Sequence, residues 1–249
     1  MSMNKKAWDL RHTLSLVSQL HGRAQEQLAT AQFNSALKRW SYAAYHLAET
    51  EKAINETNSK WGKLQVPDRM FLSQKVSSEE AAEYENSVNL VGAHTTACVA
   101  NLHAVVELFA QGILHSLGMK SSDKKQFPER NVYSTHIQRK LYKNPRTKIL
   151  GSHLEAMIRQ GDYEYLAAVS NQSKHNQLVR AGIIMDVREQ GDLPFWAAFE
   201  GFERKSFHGE FWYDRRDALE TLTKEKDRQL DLIIDTGIEL TFILQGWVL

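Results

Sequence analysis

Apolar residues recur at steps of three and four over most of this chain, and sustained spacing of that kind predicts helix. From Trp8 to about Asn55 the repeat runs through Leu10, Leu14, Val17, Leu20, Leu37, Trp40, Ala44, Leu47 and Ile54. One long helix or two collinear ones are expected there, with a bend in "HGRAQEQLATAQFN". "NSKWGKLQVPDR" carries Gly62 and Pro67 and reads as a loop. A second long helix starts at "SSEEAAEYE", where Ser77 or Ser78 can cap free backbone N–H groups and Glu79 and Glu80 suit the positive helix end, and it stops at Gly118. After the polar stretch "MKSSDKKQFPERNVYS", shorter helices are expected near residues 134 to 143 and 146 to 160. Asp162 can cap another that runs through "YEYLAAVSNQSKHN".

The period then changes. "LVRAGIIMDVRE", "PFWAAFEGFER" and "GEFWYDR" are rich in Val, Ile, Phe and Trp and are separated by "QGDL" and "KSFH", which predicts three short antiparallel strands with tight turns. Phe195, Ala197 and Phe199 would line one face, with Trp196, Ala198 and Glu200 on the other. Helix resumes at Arg216 on Leu219, Leu222, Leu230, Ile233, Ile234, Leu240 and Leu244. The fold expected is mainly α: a helical bundle of four to five helices, with a small antiparallel three-stranded β-meander inserted at about 178–214 before the C-terminal helix. Four prolines in 249 residues, with no Gly/Ser-rich run, favour a single helical domain over 1–249.

Composition narrows the function classes. Lys and Arg number 31 against 30 Asp and Glu, so a formal charge of +1 makes no global case for nucleic acid. The lone Cys98 excludes an internal disulfide and fits a reducing compartment. No apolar run follows the short basic N-terminus, and no uninterrupted apolar segment has the length of a membrane span, so a cytoplasmic location and no membrane partner are expected. Gly-rich phosphate loops, a nucleophile elbow and paired Cys motifs are absent from the sequence, so no cofactor and no metal are expected.

Two places carry candidate chemistry. From Val88 to Met119 the only formally charged side chain is Glu107, which marks a helix surrounded by others. Gly92, Thr96, Ala100, His103, Glu107 and Gln111 share a face of that helix, small at one end and polar at the other. His103 and Glu107, four apart, form either a buried pair that fixes register or an acid/base site. The second place is "VSNQSKHNQLVR", where Asn171, Lys174 and His175 crowd the last turn of a helix and Arg180 follows. Cations complement the negative end of the helix dipole, which accounts for Lys174 and His175 but not for Asn171.

A central helix with an inward Glu, followed by a helix ending in "NQSKHNQLV", resembles the helical proteins near the higher eukaryotes and prokaryotes nucleotide-binding (HEPN) superfamily, over roughly residues 80–180. The resemblance implies a helical fold, and for the nuclease members an Arg and a His that cleave RNA through the neighbouring 2′-hydroxyl without metal. His175 with Lys174, Asn171 and Glu107 would then be catalytic, and His103 and Arg180 would bind. The chain departs from that pattern at the arginine: the nearest one upstream of His175 is Arg159, outside the family's spacing. Arg39 with His46, Arg130 with His136 and Arg146 with His153 do satisfy it, a number that chance spacing supplies. Two readings follow. One is a non-enzymatic interaction module, a homodimer or the partner of another protein in a small operon-encoded, bacterial-type system of defence or immunity, docking through the apolar "LTFILQGWVL". The other is a HEPN-like metal-independent ribonuclease or nucleotide-binding protein with RNA or a nucleotide as ligand.

Overall fold

The computed structural model describes residues 7–64, 77–120, 132–175, 178–185, 194–206 and 209–248. The expected loop around Pro67, most of the polar stretch before Tyr133 and the "QGDL" turn lie outside them. The chain is mainly α, with seven helices among the described residues and a small antiparallel three-stranded sheet before the last one. The helices are α1 (Leu10–His21), α2 (Arg23–Trp61), α3 (Ser78–Ser116), α4 (Ser134–Lys143), α5 (Lys148–Arg159), α6 (Tyr163–His175) and α7 (Ala218–Val248). The strands are β1 (Ala181–Met185), β2 (Phe195–Phe199), β3 (Phe202–Ser206), β4 (Gly209–Tyr213) and β5 (Arg216–Asp217).

The expected bend is a break at Gly22, whose φ of 82° suits a residue without a Cβ. α3 begins where the Ser/Glu signal placed it, because Ser77 Oγ accepts the Glu80 amide while the Glu80 carboxylate accepts the Ser77 amide, a reciprocal capping box. It is long and apolar enough to cross a membrane by composition, and 61% of that window is buried in the fold, the position of a core helix.

The chain divides into two compact units. The first comprises Met1–Trp40, Leu102–Glu164 and Glu225–Leu249. Its centre is aromatic: the Trp8 ring meets Phe33 and Phe109 edge-on at 5.2 and 5.9 Å between centroids. Gly237 and Gly112 make room for the Trp8 and Phe33 rings, since a Cβ at either would lie within 2.5 Å of them. Arg228 closes the C-terminal end of α5, donating to the carbonyls of Ala156 at 2.9 Å and Met157 at 3.2 Å, while the buried Glu225 carboxylate accepts from the same guanidinium at 2.6 Å.

The second unit comprises Ser41–Asn101 and Tyr165–Lys224. Its sheet has the order β1-β2-β5, with Ile183 opposite Ala197 and Phe199 opposite Arg216. "GEFWY" is not the third strand of that sheet. "PFWAAFEGFER" breaks at Glu200-Gly201, and its second half pairs with "GEFWY" as a separate hairpin, β3-β4. The indole of Trp212 lies over Gly201, where a Cβ would stand 2.9 Å from the ring, so the break sits where a side chain would not fit. Phe195, Ala197 and Phe199 are buried as the alternation predicts, but Ala198 is buried as well, because β2 is covered on both faces.

Candidate functional site

The polar face of α3 divides along its length. At the small end, Gly92 lets β1 approach so closely that a Cβ there would lie 2.6 Å from the Ala181 carbonyl oxygen. At the polar end, the Gln111 amide donates to the Val132 carbonyl at 2.9 Å. Glu107 receives the backbone N–H and the hydroxyl of Ser134, each at 2.7 Å, one on each carboxylate oxygen. Ser134 is the first residue of α4, so the carboxylate satisfies a free N–H at the positive end of a helix. His103 stacks flat on Tyr163 at 5.8 Å and 4°. Burial first, then the charges of Glu107 and Glu225, push the Tyr163 phenol far above its usual range. Tyr163 is therefore a neutral ring, with Glu107 and His103 half-buried in its surroundings.

Asn171 and Lys174 lie in the last turns of α6, half-buried and exposed respectively. His175 is its final residue, and its side chain lies outside the described ones. The bond that closes this end runs from the Val179 amide to Ser173 Oγ at 3.2 Å. Arg180 is exposed, and its carbonyl accepts the Glu200 amide at 2.9 Å beside the sheet. Glu107 and His103 belong to the first unit; Asn171, Lys174, His175 and Arg180 belong to the second.

Two further features bear on function, of which only the first escaped the sequence. In the second unit, His46 on α2 and His94 on α3 face each other with their Nδ1 atoms 2.9 Å apart. Both rings are half-buried, and the exposed Tyr45 packs edge-on against each. Burial, then the neighbouring His94, hold the His46 imidazole below its ordinary value, so one neutral ring donates its N–H to the other. Forty-eight residues separate the two, and no local spacing signals the pair.

The second is the outer stripe of α7 in the first unit. Asp231, Asp235, Glu239, Phe242 and Gly246 follow at steps of three and four and share a face. Asp231 and Asp235 are exposed and form a solvated acidic stripe. One turn past Glu239 the stripe turns apolar: Phe242 is 61% exposed, and Val248 at the helix end is 46% exposed. The opposite face is already buried through Ile233, Leu240 and Leu244.

Comparisons with known proteins add no relative: no protein-family model, no curated protein and no solved structure matches this chain.

Proposed function

We propose that this chain is a non-enzymatic interaction module that pairs with a second copy of itself through the C-terminal end of α7. Phe242 carries the reading. It is 61% exposed beside a helix face that is already buried, and covering its ring would gain about 1 to 2 kcal/mol of burial. Gly246, one turn on, has open space where a side chain would be, with nothing within 4 Å of a Cβ placed there. In a two-fold antiparallel contact, Phe242 of each copy would sit over Gly246 of the other, the reciprocity that an isologous interface requires. No observation of this kind favours the ribonuclease reading: Glu107 accepts two hydrogen bonds from Ser134 at the start of α4, a structural role that stands without a substrate.

Sedimentation equilibrium tests the proposal. The wild type is expected to dimerise, and Phe242→Glu to shift the dissociation constant upward by at least tenfold. Gly246→Trp fills the hollow without touching the core and should do the same. A monomeric wild type, or a dimer indifferent to both substitutions, defeats the reading. Incubation of wild type and His175→Ala with RNA in the absence of metal serves the second reading, which requires cleavage that the variant loses.

A further inference from the structure

We propose that His46 and His94 form a binding site for a divalent transition-metal ion of tetrahedral preference, with Zn2+ as the probe, a departure from the metal-free expectation of the sequence. The two rings come from two helices of the same unit and present the same nitrogen to each other, Nδ1 to Nδ1, with ring centroids 5.2 Å apart. Two imidazoles bound to one tetrahedral Zn2+ at about 2.05 Å hold their nitrogens about 3.3 Å apart, and their ring centres, roughly 1.15 Å further back, about 5.2 Å apart. The rings therefore need only pivot in place, opening the 2.9 Å contact by a few tenths of an ångström. A square-planar ion holding both rings cis would draw the ring centres in to about 4.5 Å, so the observed separation of the rings suits tetrahedral coordination.

Ligation needs a neutral imidazole, and a pair that shares one hydrogen bond has a single N–H to give up at Nδ1, the proton moving to Nε2 of the same ring as the metal takes its place. Half-burial leaves the pair open to solvent beside the exposed Tyr45. Among the described residues no group of three or more His, Cys, Asp or Glu converges, so the two imidazoles supply half of a tetrahedral set and water supplies the rest. Such an open site cross-links α2 to α3.

Calorimetric titration of the full chain with Zn2+ at pH 7.5 should give one site per chain. Saturation at about a hundred times the dissociation constant should raise the melting temperature by roughly 5 °C or more. His46→Asn and His94→Asn should each weaken binding at least tenfold. In the unaltered protein, nitrogen-detected imidazole spectra should show Nδ1 of two histidines, and no Nε2, moving on addition of Zn2+, a result independent of whether the variants fold. No saturable uptake at millimolar Zn2+, uptake retained by both variants, or shifts at other histidines would overturn the proposal and leave the pair a shared-proton contact only.

Discussion

Glu107 was legible as unusual, being the only formal charge over some thirty residues of an apolar helix, but its partner was not. The sequence offers His103, one turn away, because local spacing is all that a sequence displays. The carboxylate grips Ser134, 27 residues on, where it stabilises the positive end of α4. Charge-assisted bonds of this kind contribute about 1.5 to 3 kcal/mol, and the amide left without an acceptor adds its own desolvation cost. Glu107→Ala should therefore destabilise the chain by about 2 to 3 kcal/mol and Ser134→Ala by about 1, with a coupling of about 1 kcal/mol in a double-mutant cycle read by urea unfolding. Zero coupling would show that the two side chains act independently.

Helix ends show the limit of periodicity at the scale of elements. α2 runs to Trp61, past the expected stop near Asn55, because two residues of the supposed loop are anchored in the second unit. Trp61 is buried against Tyr84, and Asn58 behaves as a fragment of strand: its amide accepts the Phe195 N–H at 3.0 Å and donates to the Phe195 carbonyl at 2.8 Å. β5 pairs only with the far end of β2, so at Phe195 this side chain does what a neighbouring strand would do. Asn58→Ala strips both partners from a buried backbone residue and is expected to cost about 2 to 4 kcal/mol, since each unsatisfied group costs about 1 to 3. Amide exchange at Phe195 would rise with it. A variant as stable as the wild type would mean that water replaces the side chain without loss.

At the scale of the molecule, three of the described histidines are held below their ordinary value of 6.5: His21 and His115 in the first unit, chiefly by burial, and His46 in the second by burial and then His94. The unfolded chain then binds more protons than the folded one between 6.5 and the lowered values, so stability rises with pH across that window. Their contribution is complete above about pH 6.5 and is lost as the pH falls through 6.5 toward the folded-state values. Urea midpoints measured with chelator present should be lower at pH 5.5 than at 7.5, with His46→Gln reducing the difference; an equal or higher midpoint at 5.5 contradicts the burial of these rings. Repeating apolar positions and caps determined by themselves the helical class, the placement of α3 to α6 within a residue or two, and a strand-bearing segment before α7, because period and capping depend on neighbours in the chain. Tertiary structure alone decided that "GEFWY" pairs in its own hairpin, that Asn58 finishes a sheet edge, that Glu107 caps α4 and that His46 meets His94. Each of those depends on groups far apart in sequence, and their pairing energies exist only once the backbone has brought them within a few ångströms.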